Sequence, residues 1–203
     1  RRARVAVEQA RRDVAEILNC EPGEVVFTSG GTEADNMAIM EAIDSLHITR
    51  IVTTTIEHHA VGHTALAANK SKNVEVVYVK IDQNGNVDLA DLNSILSDGK
   101  KTLVSLMHAN NEIAIINDIE KIGLKCKEHD VLFHSDMVQT VGHLDVALDA
   151  LPVDFVSASA HKFHGPKGKG ILYINSMNQI APFVLGGGQE RNMRAGTEDV
   201  PGI

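Results

Sequence analysis

The stretch VVFTSGGTEADNMAIMEAI, residues 25–43, decides the fold of this chain. It begins with a short β-branched run that is typical of a buried strand, and two glycines then turn the chain. Apolar residues return at helical spacing, with Thr32 or a neighbour as the expected N-cap. A strand that passes through a tight turn into a helix is the first half of a βαβ unit. The stretch therefore predicts a sheet with helices packed against it.

The same alternation of strand and helix continues along the chain. Strand-like runs cover residues 50–55, 74–81, 101–109, 131–137, 155–160 and 170–174, and helical patterns cover residues 1–18, 60–70, 89–98 and 118–130. Such alternation gives a mostly parallel sheet, and continuous Val, Ile and Leu runs indicate strands that are buried on both faces. We therefore expect an α/β fold with three αβα layers and a mostly parallel, seven-stranded sheet.

The composition argues against several classes of protein. A formal net charge of -8 disfavours bulk binding to nucleic acid or to an anionic membrane, and the lack of Trp with only two Tyr disfavours base stacking. The two cysteines, Cys20 and Cys126, stand far apart in the sequence, which fits free thiols in a reducing compartment. No apolar run approaches the length of a membrane span. We expect a cytoplasmic protein that binds neither nucleic acid nor a membrane.

Polar residues that could bind a ligand or take part in catalysis follow the predicted strands. They are Ser29–Thr32 after the first strand, Glu57–His59 after the second, Asn110–Glu112 after the fourth, Asp136 and Gln139 at the fifth, and Ser159, His161 and Lys162 at the sixth. Ligands of parallel sheets bind beyond the carboxyl ends of the strands, and these residues would meet there. The pattern therefore predicts one site at that edge of the sheet.

Each motif also has an ordinary structural explanation. The glycine-rich segment 28–36 suits a phosphate, but it is equally a tight strand-to-helix turn. The histidines of segment 57–63 could stack on a flat ring or bind a metal, or they could simply begin a helix at the surface. Asp136 could cap a helix. Segment 186–198, with Arg191 and Arg194, could grip an anion or form a mobile loop.

Taken together, the motifs meet the requirements of a single cofactor. A glycine-rich turn can hold an anion, an imidazole can stack on a flat ring, and Asp136 can pair with a protonated ring nitrogen. Lys162 follows a strand of small residues, and a lysine in a desolvated setting can form a Schiff base with an aldehyde. This combination predicts a site for pyridoxal 5'-phosphate.

Six segments, spread over nearly the whole chain, resemble one known family. They are TSGGTEADN, EHHAV, MHANNEIAIINDI, HSDMVQTVGHL, SAHKFHGPKGKGILYI and GGGQERNMRAGTE, in this order. In these segments the chain resembles the cysteine desulfurases of the NifS/IscS type, within the class V aminotransferase superfamily. The resemblance implies the large domain of the fold of pyridoxal-phosphate-dependent transferases.

The resemblance also implies roles for individual residues. Lys162 would carry the cofactor as a Schiff base, and His58 would stack on the ring and exchange protons. The other expected cofactor contacts are Gly31, Thr32, Ser159 and His161 to the phosphate, Asp136 to the pyridine nitrogen, Gln139 to the ring hydroxyl, and Asn111 near the ring and the substrate. Thr197 would reach the cofactor phosphate across a homodimer interface, and Arg194 would lie near the substrate. No residue would bind a metal.

For the whole protein, the resemblance implies conversion of L-cysteine to L-alanine, with the sulfur passed to an enzyme cysteine as a persulfide. The persulfide would supply iron–sulfur cluster assembly or tRNA thiolation through a scaffold or another sulfur-acceptor protein. Neither Cys20 nor Cys126 matches the family's attacking cysteine. We therefore expect residues 1–203 to be the cofactor-binding large domain of a longer chain, without its N-terminal segment and C-terminal small domain. We expect this domain alone to desulfurate cysteine poorly.

Three other functions stay open at the level of sequence. The nearest is a selenocysteine lyase or another class V enzyme with the same large domain. A metal-dependent hydrolase would use His58, His59, His63 and Asp136, because His59 and His63 stand four positions apart on a predicted helix. The third is a catalytically inactive scaffold that dimerises or binds sulfur-acceptor proteins.

Overall fold

The computed structural model describes residues 2–203. The α-helices are α1 (Arg2–Leu18), α2 (Gly31–Leu46), α3 (His59–Lys72), α4 (Leu89–Leu96) and α5 (Ile119–Glu128). The strands are β1 (Val25–Thr28), β2 (Arg50–Thr53), β3 (Glu75–Tyr78), β4 (Thr102–Ser105), β5 (Ala109–Asn110), β6 (Ile115–Ile116), β7 (Leu132–Asp136), β8 (Phe155–Ser159) and β9 (Gly170–Ile174). Short 3-10 helices cover Pro22–Glu24, Ala160–Phe163 and Gln189–Asn192.

Seven of these strands form one sheet in the order β1-β9-β8-β7-β4-β2-β3. Strand β9 runs antiparallel to both of its neighbours, β1 and β8. The other pairings, from β8 through β7, β4 and β2 to β3, are parallel. The sheet is therefore mostly parallel with one reversed strand, which confirms the expected architecture.

The sheet separates two hydrophobic cores, because consecutive strand residues point to opposite faces. Val104 lies in one core and its neighbour Leu103 lies in the other. The first core receives side chains from α1, α4 and α5, and the second receives side chains from α2 and α3. The layers are therefore helix, sheet and helix, as the alternating sequence pattern predicts.

The strand that the sequence predicts over residues 101–109 is shorter in the structure. Strand β4 ends at Ser105, and Ala109–Asn110 pairs instead with Ile115–Ile116 in a small antiparallel hairpin. The Asn110 side chain donates a 2.7 Å hydrogen bond to the Ile56 carbonyl and accepts one of 2.8 Å from the Glu112 N–H. These bonds turn the chain back, and they place Asn111 and Glu112 at the edge of the sheet.

A close backbone approach fixes the turn before α2 against the sheet. A Cβ on Gly170, the first residue of β9, would lie 2.6 Å from the Gly30 Cα and 2.7 Å from the Ala158 carbonyl oxygen. Such contacts leave no room for a side chain, because both neighbours are backbone atoms. The beginning of α2 is thereby held beside the end of β8.

A buried ion pair joins α1 to the segment near residue 190. The Arg11 guanidinium is fully buried and contacts the Glu190 carboxylate at 2.8 Å and 3.0 Å. Glu190 also accepts a 2.8 Å hydrogen bond from the Phe27 N–H, and Arg11 donates one of 2.7 Å to the Val25 carbonyl. Glu190, Arg191 and Asn192 all have positive φ angles, of 43°, 55° and 67°. This strained turn is held in place by the ion pair and by β1.

No helix in the described range, residues 2–203, has the length and apolar character needed to cross a membrane.

Candidate active site

A cavity of about 330 Å³ lies beyond the carboxyl ends of the parallel strands. Nine residues that the sequence assigns to a cofactor site line it: Gly31, Thr32, His58, Asn111, Asp136, Gln139, Ser159, His161 and Lys162. Four further residues line it, and the sequence assigns none of them a cofactor contact: Asp35, Met107, Glu112 and Val138. Residues from separate parts of the chain thus meet in one place, as the edge of a parallel sheet requires.

Arg194 and Thr197 do not line this cavity. They border a separate, smaller cavity of about 150 Å³, together with Ser29 and Lys169. The Arg194 guanidinium pairs with the Glu33 carboxylate, with Nε–Oε1 at 2.7 Å and Nη2–Oε2 at 3.1 Å. Arg194 therefore does not join the residues of the main cavity, because Glu33 holds the guanidinium, and its expected place near the substrate stays a prediction. A role for Thr197 across a subunit interface stays a prediction.

The beginning of α2 offers free N–H groups to the cavity. The N-cap is Gly30, and no side chain among residues 2–203 caps this helix. The sequence predicts Thr32 or a neighbour as the N-cap; the neighbour Gly30 has this position, and Thr32 lies inside the first turn. Uncapped N–H groups at a helix N-terminus attract an anion.

Hydroxyl and imidazole groups face the beginning of α2 from the end of β8. A Cβ on Gly31 would lie 3.7 Å from the Ser159 Cβ, so the two backbones stand close together. The Ser159 hydroxyl contacts the His161 Nδ1 at 2.8 Å. Ser159 and His161 therefore complete a cradle that suits a phosphate, with Gly31 and Thr32 on its other side.

Asp136 is a buried carboxylate at the last position of β7. Asp136 is 5% exposed, and its Oδ1 accepts a 2.9 Å hydrogen bond from the Val138 N–H. Burial raises the pKa of Asp136 well above its ordinary value, and the nearby carboxylate of Asp35 raises it further, while Lys162 opposes the rise. A carboxylate in this setting is stabilised by a cation or a strong hydrogen-bond donor in the cavity.

Lys162 lies in the 3-10 helix Ala160–Phe163, directly after β8. Its side chain reaches the cavity that contains Asp136. The His143 Nε2 donates a 2.7 Å hydrogen bond to the Lys162 carbonyl oxygen, which fixes the backbone at this position. The Lys162 amine thus belongs to a short, anchored helix at the edge of the sheet.

His58 is the N-cap of α3. Its Nδ1 accepts a 3.1 Å hydrogen bond from the Ala60 N–H, so the proton of the neutral ring is carried by Nε2. The ring can therefore donate this proton to a ligand, and it has no nitrogen lone pair left for a metal ion unless the cap is broken.

The four residues expected for a metal-dependent hydrolase do not converge on one point. His59 and His63 stack on each other, with ring centroids 4.9 Å apart, and line an open groove with Met40 and Phe183. Within residues 2–203, the set of potential metal ligands that does converge is Asp35, His58 and Asp136. The four-residue set of His58, His59, His63 and Asp136 is therefore not supported as a metal site.

Asn111 and Gln139 are coupled to each other. The Gln139 Nε2 donates a 3.0 Å hydrogen bond to the Asn111 Oδ1. This contact orients both amides on the side of the cavity next to Asp136, and it leaves the Gln139 Oε1 available as an acceptor.

Two acidic residues near Asp136, which are Asp35 and Glu57, lie inside sequence motifs but receive no role from the sequence. Glu57 accepts hydrogen bonds from the Thr54 hydroxyl at 2.7 Å and from the Met107 N–H at 2.9 Å. Burial raises the pKa of Glu57 to about 8, and the neighbouring Asp136 adds to the rise. Glu57 and Asp35 stand inside motifs that the sequence singles out, and their burial was the signal that sequence could not supply.

We expect Glu57 to make the cofactor-free protein less stable as the pH rises. Between the ordinary pKa of 4.5 and the folded value of about 8, the unfolded chain loses this proton while the folded chain keeps it. In Glu57→Gln, the fall in unfolding free energy between about pH 5 and about pH 9 should be smaller by about 3 kcal/mol. Chemical denaturation at both pH values measures this difference.

The amide can replace the carboxylate because its oxygen can accept from the Met107 N–H while its NH₂ donates to the Thr54 hydroxyl. Glu16→Gln, an exposed change on α1, serves as the control and should leave the fall unchanged. An equal fall in unfolding free energy in the wild type and in Glu57→Gln would show that Glu57 is not the cause.

The two cysteines lie outside the cavity. Cys20 is half-buried, and burial raises the pKa of its thiol to about 12, with a further contribution from Glu24. Cys126 is buried on α5, and burial raises the pKa of its thiol even further. A thiol is nucleophilic only as the thiolate, so neither cysteine is suited to attack a substrate near neutral pH.

Comparison with known proteins matches the whole chain to one family. A family model described as "Aminotransferase class-V" matches residues 1–203. A cysteine desulfurase IscS from Dictyoglomus turgidum is 47% identical over 206 residues, which cover all of this chain and 52% of that relative. A putative cysteine desulfurase IscS 1 from Bacillus subtilis is 43% identical, over all of this chain and 54% of its own length. The chain thus spans about half the length of the curated relatives it matches.

Solved structures give the same result. A structure described as a NifS-like protein superposes with a TM-score of 0.93 at 41% identity, covering 99% of this chain and 56% of that chain. A structure described as SspA in complex with cysteine superposes with a TM-score of 0.90 at 34% identity, covering 99% of this chain and 58% of that chain.

Proposed function

Because this chain belongs to the aminotransferase class-V family, we propose that it is the cofactor-binding part of a pyridoxal-phosphate-dependent cysteine desulfurase. The observation that carries the proposal is the convergence of nine sequence-predicted residues on one cavity, with Asp136 and Lys162 both reaching it. The names of the relatives and of the solved structures support the same activity.

The residues of the cavity fit the proposed cofactor. The N-terminus of α2 suits the phosphate, because no side chain among residues 2–203 caps it. It lies beside the Ser159 and His161 side chains. The buried carboxylate of Asp136 suits a protonated ring nitrogen, since its raised pKa reflects a charge that lacks compensation. Asp35 is a second buried acidic residue at the cavity, and its Oδ1 has no hydrogen-bond partner among the described residues.

Pyridoxal phosphate, when bound, withdraws electrons from the α-carbon of an amino acid substrate. In our proposal Gly31, Thr32, Ser159 and His161 bind its phosphate, and Lys162 supplies the amine that attaches it covalently. Asp136 holds a proton between its carboxylate and the ring nitrogen.

Two further polar groups complete the proposed arrangement. Gln139, held by Asn111, accepts a hydrogen bond from the ring hydroxyl through its free Oε1. His58 covers the ring and donates a hydrogen bond from its Nε2–H, because its Nδ1 is engaged with the Ala60 N–H. Uptake of a second proton by His58 requires the Nδ1 to release this N–H.

The proposed reaction converts L-cysteine and a protein thiol into L-alanine and a protein persulfide. The carbon–sulfur bond of the substrate breaks, and its sulfur forms a sulfur–sulfur bond with the attacking thiolate. Cys20 and Cys126 are poor candidates for this thiol, because burial raises the pKa of both. The attacking thiol is therefore expected outside residues 1–203, and this chain alone should release alanine from free cysteine slowly or not at all.

The assembly and the pathway are part of the same proposal. We propose that residues 1–203 are the large domain of a cytoplasmic homodimer, in which Thr197 reaches the cofactor phosphate of the other subunit. A scaffold for iron–sulfur clusters or another sulfur-acceptor protein would take the persulfide sulfur. A selenocysteine lyase with the same large domain is the second candidate, and comparison of alanine release from cysteine and from selenocysteine by the complete protein distinguishes the two.

Titration of the purified chain with pyridoxal phosphate tests the proposal. We expect a visible absorbance band that disappears on borohydride reduction, and one covalent adduct on the peptide that contains Lys162. Inductively coupled plasma analysis of the same sample tests for a metal instead. Absence of a reducible adduct in the wild-type chain would overturn the cofactor assignment.

A further inference from the structure

Asp35 is a buried carboxylate to which the proposed function assigns no role. It lies on α2, one turn beyond Gly31, is 1% exposed, and lines the main cavity. Its Oδ1 has no hydrogen-bond partner in the part of the chain that the structure describes. A buried carboxylate with one unpartnered oxygen is costly, so its presence beside the cavity calls for a functional explanation.

Asp35 and Asp136 converge on the same point. One carboxylate oxygen from each residue and a ring nitrogen of His58 all lie within 4.8 Å of one another. Two carboxylates at such a distance repel each other strongly in a buried site. The pKa of Asp136 is accordingly raised by burial first and by Asp35 second. This cavity wall therefore carries more potential negative charge than one ring nitrogen contact requires.

We propose that Asp35 is a positioning residue of this site: with Asp136 it forms a two-carboxylate wall that selects a ligand with a cationic ring. The inference rests on the proposed function, since the ring is that of pyridoxal phosphate. Asp136 contacts the ring nitrogen, and Asp35 acts through Asp136 rather than on the ring. Its negative charge raises the affinity of the pair formed by Asp136 and the ring nitrogen for the proton that the two partners share.

His134 lies next to the Asp35 carboxylate but does not pair with it. The His134 ring is completely buried on β7, and its Nε2 stands 3.5 Å from the Asp35 Oδ1. Its Nδ1 contacts the Ser105 hydroxyl at 2.8 Å, and its Nε2 contacts the Ser157 hydroxyl at 3.0 Å. Both ring nitrogens are thus engaged with serines of neighbouring strands. The ring is fixed in orientation and leaves the Asp35 oxygen unpartnered.

Other titratable groups surround Asp136 and enter any account of its proton affinity. They are Asp35 on α2, Glu57 and His58 after β2, His108 after β4, His134 on β7, and His161 and Lys162 after β8. Glu57 is hydrogen-bonded by Thr54 and Met107, so its charge is partly compensated. Lys162 acts in the opposite direction and lowers the pKa of Asp136. Asp35 is the neighbour that raises the pKa of Asp136 most.

The substitution Asp35→Asn tests this inference, because it removes the charge and keeps the shape of the side chain. Carbon-13 NMR of aspartate-labelled, cofactor-free chain follows the titration of the Asp136 carboxyl carbon. We expect Asp136 to titrate roughly one to two pH units lower in Asp35→Asn than in the wild type. Asp44→Asn changes a half-exposed carboxylate on the same helix, paired with Lys72, and should leave this titration unchanged.

Cofactor binding provides the second measurement. Pyridoxal phosphate should bind Asp35→Asn about tenfold more weakly than the wild type, the equilibrium effect of one pKa unit. The carbocyclic analogue in which CH replaces the ring nitrogen cannot carry the ring proton. The analogue should therefore bind Asp35→Asn and the wild type with equal affinity. A purely structural role of Asp35 would weaken both ligands to the same extent.

The outcomes separate this inference from the proposed function. An unchanged titration of Asp136, or equal weakening of cofactor and analogue, would overturn the role of Asp35 while leaving the cofactor site intact. Failure of the wild-type chain to bind pyridoxal phosphate would overturn the proposed function and the selection of a cationic ring. In that case the titration still decides whether Asp35 acts on Asp136.

Discussion

Replacing Lys162 by alanine should abolish all covalent attachment of pyridoxal phosphate to this chain. The lysine amine reaches the same cavity as Asp136 and the proposed phosphate cradle, and an alanine supplies no nucleophile. After incubation with the cofactor, borohydride reduction and denaturation, the wild type should retain the pyridoxyl group and Lys162→Ala should retain none. Intact mass spectrometry measures the difference directly, without reference to catalytic activity.

Lys167 provides a matched control for this experiment. It lies five positions further on, in the exposed turn before β9, and it does not line the cavity. Lys167→Ala should therefore keep the full adduct and the visible absorbance band. A reducible adduct that persists in Lys162→Ala, or one that is lost in Lys167→Ala, would show that another lysine is the attachment site.

Breaking the buried ion pair should produce the largest loss of stability in this chain. In Arg11→Met the Glu190 carboxylate stays buried without its cation, which typically costs about 3–5 kcal/mol. For a chain of this length such a loss lowers the melting temperature by about 10 °C. Thermal and urea denaturation of the cofactor-free chain measure both quantities.

Two variants distinguish the buried pair from a general effect of charge removal. Arg12→Met removes an exposed guanidinium on the same helix, whose contact is a 2.7 Å hydrogen bond to Gln9, and should change stability by less than about 1 kcal/mol. The double variant Arg11→Met, Glu190→Gln should recover part of the loss, because the uncompensated charge is gone. Equal losses in Arg11→Met and Arg12→Met would refute the importance of the pair.

The sequence could predict the members of the cavity because of a geometric rule. Parallel strands bring their carboxyl ends to one edge, so residues such as His58, Asp136 and Lys162 must meet once the strands are recognised. Each lies within a few positions of a strand end. Their convergence required no knowledge of the helices that cover the sheet.

Other contacts depend on packing that the pattern of one sequence does not contain. Asp35 looks like an ordinary helix residue, and its burial follows from the way α2 lies across the strands. The Arg194–Glu33 pair joins positions that are far apart in the chain, so no local spacing indicates it. This pair holds the Arg194 guanidinium outside the main cavity.

The reversed direction of β9 had a signal in the sequence. The connection from β8 to β9 covers residues 160–169, and a parallel return usually needs a dozen or more residues and a helix. A short connection without a full helix therefore favours an antiparallel neighbour.

The pairing of β1 with β9 has a consequence for folding during synthesis of the protein. Strand β1 lies at the edge of the sheet, and within residues 2–203 its strand partner is β9, with Val25 opposite Tyr173. A nascent chain emerging from the ribosome thus holds β1 without a partner until most of these residues have been synthesised. Contacts of such long sequence separation form slowly and leave apolar strand surface exposed meanwhile. We expect the glycine turn after β1 to be among the last parts to form during translation.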